Sequence, residues 1–213
     1  KDKSGLKNHQ NMNKIGLSKR KNMKIGLLGG SFNPAHEGHI YISEQALRLF
    51  GLDEIWWLVT PQNPLKKMKT NDTLIKRLNF AKKLVKNSKI RIDSVENKYK
   101  NNFTANTLKN IINRYKGTKF IWLMGADNLD EFHKWYQWQT IYSIIPIAVF
   151  DREYYSYSVF NSIAGKRYFN KLHKTKNSQS IFNSKLPSWR FLRIHKNSLS
   201  STKIRNNKNY LKI

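Results

Sequence analysis

Six short apolar runs, at 24–28, 54–60, 89–93, 119–124, 146–150 and 188–194, alternate along this chain with segments whose apolar residues recur at helical spacing. Those segments lie at 38–50, 72–87, 104–116 and 127–145, the last with room for a break. Helical crossovers of this length join parallel strands, and four of the runs are mostly apolar, as strands covered on both faces must be. The expected fold is therefore α/β, with a doubly wound parallel sheet in one domain. Asp72 and Thr104 stand where helix N-caps would be. The stretch 154–185 is polar, aromatic and basic, and reads as a helix around 159–172 followed by a surface loop.

Residues 1–22 carry seven basic side chains against one acid, with no period of either kind. They read as a flexible basic N-terminal tail, leaving 23–213 as the folded domain. At 213 residues such a domain buries roughly 70% of the unfolded chain's surface. There is no cysteine, so the fold is not disulfide-built. No stretch approaches the ~20 apolar residues of a membrane span, residues 1–22 lack the apolar middle of a signal peptide, and the expectation is a soluble, cytoplasmic protein without a membrane partner. The net charge of +27 attracts any polyphosphate. Its carriers are mostly lysines scattered with asparagine through every segment, which points to compositional drift more than to a nucleic-acid stripe.

The first run leads into Gly29-Gly30-Ser31-Phe32-Asn33-Pro34-Ala35-His36-Glu37-Gly38-His39, after which a helix begins. In an open α/β sheet ligands bind at the carboxyl ends of strands, and paired glycines let backbone N–H groups come close to a phosphate. The helix adds its positive N-terminal end. His36 and His39 bracket that end with Gly38 between them, placed to donate hydrogen bonds to phosphoryl oxygens where charge builds during transfer. A Walker loop would need Lys followed by Ser or Thr after its glycines, and the string is not G-x-G-x-x-G either. An isolated histidine pair is as often ordinary surface; the preceding strand, the following helix and Gly-Gly-Ser-Phe-Asn-Pro make the phosphate reading the better one.

Near the other end, Leu199-Ser200-Ser201-Thr202-Lys203-Ile204-Arg205 sets three hydroxyls at a helix start with a guanidinium one turn in, a set able to converge on one anion. By itself this is also plain N-cap chemistry. A third group comprises Gly125-Ala126-Asp127-Asn128-Leu129 with Phe132-His133-Lys134-Trp135-Tyr136-Gln137-Trp138, Trp56 to Lys66, and Phe103 to Leu108.

Together these segments resemble the H-x-G-H nucleotidyltransferases, and the third group resembles their bacterial nicotinate-nucleotide adenylyltransferase branch, over Met23 to about Arg205. The resemblance implies a single-domain Rossmann-like nucleotidyltransferase fold and adenylyl transfer from ATP to nicotinate mononucleotide, giving deamido-NAD and pyrophosphate in NAD biosynthesis. It implies backbone contacts to ATP from Gly29, Gly30, Ser31 and Phe32, transition-state stabilisation by His36 and His39, and a grip on the β- and γ-phosphates by Ser201, Thr202 and Arg205. Asp127 would meet the ATP side. Asn63, Lys66 and Arg152 would receive the mononucleotide phosphate; Thr104 and the backbone near Trp135 and Tyr136 would take the pyridine carboxylate, with Trp135 stacking on the ring. Trp122 and Trp138 could instead be packing residues. Mg²⁺ would arrive bound to ATP, since no dense carboxylate cluster is visible to hold it. Two departures stand out: the loop after the second strand reads Asn63-Pro64-Leu65-Lys66-Lys67 with no histidine, and Asn106 replaces an acid.

Rival readings are an adenylyltransferase acting on nicotinamide mononucleotide or phosphopantetheine, a class I aminoacyl-tRNA synthetase fragment, which shares H-x-G-H and has a loop similar to Lys66-Lys67-Met68-Lys69-Thr70 but carries that loop much nearer its carboxyl end, and a non-enzymatic nucleic-acid binder motivated by charge. Homo-oligomerisation is left open by the sequence.

Overall fold

Alternation within the apolar runs decides which residues face which layer. The computed structural model describes residues 20–60, 73–94, 103–151 and 158–194. Strands β1 (Lys24–Gly30), β2 (Glu54–Val59), β3 (Ile90–Ser94), β4 (Lys119–Gly125), β5 (Ile147–Asp151) and β6 (Trp189–Arg193) pair in the order β3-β2-β1-β4-β5-β6, every pair parallel. Successive side chains of a strand point to opposite faces. Ile25, Leu27, Trp56, Leu58, Phe120, Trp122, Met124, Ile147 and Val149 thus enter one core, while Leu28, Ile55, Trp57, Val59, Ile121, Leu123, Ala148 and Phe150 enter the other.

Helices α1 (Glu37–Phe50) and α2 (Leu74–Leu84) cover the second core with Ile42, Ala46, Phe50 and Ala81. Helices α3 (Thr104–Arg114), α4 (Ala126–Glu131) and α5 (Trp138–Ile144) cover the first with Ala105, Leu108, Ile111, Leu129, Ile141 and Tyr142. Burial, with the nearby Tyr168, pushes the Tyr142 hydroxyl's pKa up. The doubly wound sheet expected from the sequence is the one observed. Strand order reverses between β1 and β4, where the carboxyl ends splay apart and a ligand crevice forms in such sheets.

Several boundaries differ from expectation. Gly29 and Gly30 belong to β1, pairing with Leu58 and Val59, where the sequence placed them after the strand. Asp72 lies outside the described residues; α2 is capped by Thr73, whose hydroxyl accepts from the Lys76 N–H at 3.3 Å. Thr104 is the first helical residue of α3, and the N-cap is Phe103. The helical pattern at 127–145 breaks into α4, a 3₁₀ turn Phe132–Lys134, and α5, because Gln137 takes a left-handed backbone (φ 49°) before α5. The expected helix at 159–172 is two short helices, α6 (Ser158–Asn161) and α7 (Ile163–Arg167), and a 3₁₀ turn Phe169–Lys171. The stretch after that turn is more than a surface loop: a 3₁₀ segment, Ser178–Asn183, buries Ile181 in the second core.

The last residues of the basic N-terminal segment are docked at the amino end of the sheet. The Asn22 N–H donates to Gly117 O (2.9 Å), Thr118 Oγ1 donates to Arg20 O (2.8 Å), and the Arg20 guanidinium lies 5.4 Å from the Trp56 ring centroid and 3.5 Å from Glu54. Residues 1–19 lie outside the described residues.

Candidate functional site

The segment from Gly29 to His39 connects the carboxyl end of β1 to α1 at the point where strand order reverses. His36 is the N-cap of α1 and His39 its third helical residue, and the two form a reciprocal capping box. Nδ1 of His36 accepts from the Gly38 N–H at 3.1 Å, and Nδ1 of His39 accepts from the His36 N–H at 3.2 Å. Capping boxes are usually built from Ser or Thr with Glu; here two imidazoles satisfy the first-turn donors. A neutral ring whose Nδ1 accepts carries its proton on Nε2, at the far side from the helix backbone. The spacing of the two histidines is therefore a geometric requirement: three residues is the capping-box interval. Their rings lie 3.9 Å apart between centroids, so both Nε2–H groups can serve one anion.

Support comes from behind. Phe32 holds a left-handed backbone (φ 45°), and its buried ring stacks on Trp57 at 4.8 Å and 17° and meets His39 at 4.7 Å. Trp57 Nε1 donates to Ser43 Oγ (2.8 Å), and Ser43 Oγ donates to the His39 carbonyl (2.8 Å). Sequence reasoning did not single out Trp57 or Ser43 as supports. Ser43 lies four residues beyond His39 on the same helix face, which is the signal that was available.

The two glycines are not equivalent. A Cβ at Gly29 would overlap Cη2 of Trp122, so this glycine makes room for an indole and not for a phosphate. At Gly30 the nearest atom to an added Cβ is in the Phe32 ring, at an ordinary 3.5 Å. Of the expected pair, only Gly30 is left to keep space for a ligand.

Asp127 sits in the first turn of α4 at the carboxyl end of β4, exposed. Phe103 meets Tyr136 in a tilted ring contact at 4.5 Å, and Lys109 Nζ donates to Gln137 Oε1 at 3.0 Å. These contacts bring Thr104, at the start of α3, beside Trp135 and Tyr136. Trp135 is half-buried, edge-on to Phe132 (5.0 Å) and Trp122 (6.5 Å), so Trp122 touches both Gly29 and the Trp135 region. Trp122 is buried in the core, and Trp138 packs edge-on against Phe132, Tyr142 and Tyr168, as packing residues do. Asn63, Lys66, Arg152, Ser201, Thr202 and Arg205 lie outside the described residues. Among the described residues, no three His, Cys, Asp or Glu side chains gather to hold a metal, and no helix is long and apolar enough to cross a membrane.

A different histidine marks the opposite end of the sheet. The His173 N–H donates to the Trp189 carbonyl (2.7 Å), Nε2 lies 2.8 Å from Ser180 Oγ and 2.7 Å from Thr175 Oγ1, and Nδ1 is 3.1 Å from Ser184 Oγ. Arg190 donates to the carbonyls of Thr175 and Lys176. Desolvation, with the Arg190 charge adding to it, pushes the His173 pKa below its usual value.

Comparison with known proteins gives the family and the fold. The cytidylyltransferase-like family model matches residues 27–207. A protein of Cereibacter sphaeroides named "Probable nicotinate-nucleotide adenylyltransferase" is 40% identical over 183 residues, covering 86% of this chain and 96% of its own. One of the same name from Agrobacterium fabrum is 39% identical over 185 residues, covering 87% and 99%. The fold matches that of Plasmodium falciparum nicotinic acid mononucleotide adenylyltransferase complexed with NaAD, with a TM-score of 0.63 at 19% identity over 86% of this chain and 83% of that one.

Proposed function

The chain belongs to the cytidylyltransferase-like family and, within it, to the nicotinate-nucleotide adenylyltransferases, and from that premise we propose that it transfers the adenylyl group of ATP to nicotinate mononucleotide through the histidine-capped loop between β1 and α1. It is a nucleotidyltransferase of NAD biosynthesis. The observation that carries the residue-level reading is the capping box, which fixes both imidazoles as Nε2–H donors at a helix N-terminus.

The mononucleotide phosphate attacks the α-phosphorus of ATP in line, the bond to the bridging oxygen breaks, and pyrophosphate leaves. No covalent intermediate with the enzyme forms. The chain's contribution is to position the reactants and to stabilise charge. Backbone N–H groups of Ser31 and Phe32 receive phosphate oxygens, and Gly30 leaves room for them. His36 and His39 donate to the α-phosphoryl oxygens as negative charge accumulates. Asp127 serves the ATP side. Ser201, Thr202 and Arg205 hold the β- and γ-phosphates, and Asn63, Lys66 and Arg152 the mononucleotide phosphate. Trp135 offers a flat face to the pyridine ring while Thr104 and the backbone at Tyr136 bind its carboxylate.

Mg²⁺, when bound with ATP, would supply charge neutralisation on the triphosphate. We take it to arrive bound to the nucleotide, and none of these steps is routed through it. We place the reaction in the cytoplasm and assign it to the domain of residues 23–213, against which Arg20 to Asn22 also pack.

Pyrophosphate release measured with ATP and each mononucleotide in turn tests this reading. A carboxamide would set its NH₂ against backbone donors, leaving one unpaired at about 1–3 kcal/mol. The expected preference for nicotinate over nicotinamide mononucleotide is roughly 5- to 150-fold in kcat/KM. Equal values would refute the carboxylate site.

A further inference from the structure

Helix α2 buries two residues, Ala81 and, four positions before it, Arg77, whose side chain is only 4% exposed. Its guanidinium Nη1 donates to two main-chain carbonyls, those of Ser31 and of Thr60, the latter at 2.7 Å. Ser31 opens the loop between β1 and α1, and Thr60 comes directly after the last residue of β2. The Thr60 N–H and Oγ1 in turn donate to Gly30 O at 3.0 and 3.3 Å. Two successive carbonyls where β1 passes into the loop, Gly30 and Ser31, are therefore held by Thr60 at the end of β2 and by Arg77 of α2.

Peptide planarity gives this a consequence. Carbonyl and N–H of one trans peptide unit point in opposite directions. Fixing the Gly30 carbonyl on Thr60 turns the Ser31 N–H away from β2, and fixing the Ser31 carbonyl on Arg77 turns the Phe32 N–H away from α2. These are the two donors assigned to the phosphates. Both bonds leave the same Nη1, whose two N–H directions are fixed in the plane of the guanidinium, whereas the three N–H groups of an ammonium rotate and fix neither carbonyl's direction. Its charge, held just behind the loop, also favours an anion in front of it.

We propose that Arg77 is a positioning residue for adenylyl transfer: by tying the Ser31 and Thr60 carbonyls together it aims the Ser31 and Phe32 N–H groups at the phosphates of ATP. The inference rests on the assignment of this loop to ATP in the proposed function.

The test uses the full chain and three variants, Arg77→Met, Arg77→Lys and Ala81→Gly, the last loosening the same helix from a position that does not touch the loop. Each is assayed well below its Tm for kcat, for the mononucleotide KM, and for the Kd of ATP alone by calorimetry. Arg77→Met is expected to lower kcat about 10- to 100-fold and weaken ATP about 10-fold, with the mononucleotide KM within about 3-fold. Ala81→Gly is expected to keep kcat within about 2-fold despite its loss of Tm. Arg77→Lys is expected to lose roughly 3- to 10-fold in kcat at nearly unchanged Tm. Wild-type kcat in folded Arg77→Met, or an equal kcat loss in Ala81→Gly, overturns the proposal. If Arg77→Met fails to fold, Arg77→Lys decides: kcat within about 2-fold of wild type overturns it, and a larger fall with intact Tm supports it. Absent turnover in the wild-type chain would refute the functional reading instead, and the ATP Kd values would still decide the role of Arg77, equal affinities in Arg77→Met and wild type overturning it.

Discussion

The two ends of the parallel sheet use the same side chain in opposite ways. At the carboxyl end, His36 and His39 each spend Nδ1 on a backbone N–H of α1 and hold Nε2 on the side of the ring away from the helix. At the amino end, His173 has hydroxyls at both ring nitrogens, from Ser180 and Thr175 on one side and Ser184 on the other. The first arrangement orients a donor; the second ties the 173–184 segment together, while the main-chain N–H of His173, not its ring, joins that segment to the start of β6 at the Trp189 carbonyl. What separates them is the partners: one nitrogen of each loop histidine is fixed on the helix backbone, whereas both nitrogens of His173 meet hydroxyls of its own segment at the end of the sheet away from the β1–α1 loop.

Removing the two kinds of histidine breaks this comparison most directly. His39→Ala is expected to lower kcat by about 10²-fold or more while ATP binding stays within several-fold, because its hydrogen bond strengthens where charge develops. His173→Ala should leave kcat within about 2-fold, since a strut at the far end of the sheet touches no reacting atom. Steady-state kinetics on both variants checks this, and comparable kcat losses would erase the distinction.

A smaller effect separates the two adjacent glycines at the carboxyl end. Gly29→Ala pushes a methyl into the Trp122 ring and should cost about 1–3 kcal/mol, or roughly 2–12 °C in Tm. Gly30→Ala meets ordinary contact distances, so it should melt within about 2 °C of wild type and show its defect in ATP affinity. Thermal melts beside ATP titrations distinguish the two; equal melting temperatures would refute the packing role of Gly29.

The smallest effect is the pH response of the strut. The folded His173 binds a proton less readily than its unfolded counterpart, so the unfolded state takes up more protons below the ordinary histidine pKa of ~6.5. Its contribution to stability is whole above that value and is lost as the pH falls from there towards the lowered folded pKa. The decline in Tm between pH 7 and 5 should be shallower in His173→Gln than in wild type. Identical slopes would show that His173 contributes nothing to it.

Much of the fold was legible in the sequence because buried parallel strands leave continuous apolar runs, and those at 24–28 and 54–60 could hardly be placed elsewhere. Legibility failed where a single dihedral or a polar contact decides. Nothing local at Gln137 announces its left-handed backbone, so the break before α5 could be placed only loosely. The 178–183 segment looked like surface because Ile181 is its one fully buried apolar residue; Phe182 is only partly buried and the other buried residue, Ser178, is polar. In the site, the histidine spacing was readable as a motif, but its cause, a capping box made of imidazoles, needed coordinates. Arg77 could not be found from the sequence, where one more cation among 40 lysines and arginines carries no mark; only its burial against two carbonyls singles it out.

Gly29 and Trp122 occupy one shared volume, the glycine's absent methyl being filled by the indole of the neighbouring strand. Neighbours that share space are not free to change independently. A side chain at 29 becomes tolerable only after the residue at 122 has shrunk, and shrinking 122 first opens a cavity next to the face that Trp135 leans on. Either order passes through a weakened intermediate. Over evolutionary time the pair should behave as a single character, kept or replaced together, with each residue acting as the other's gatekeeper.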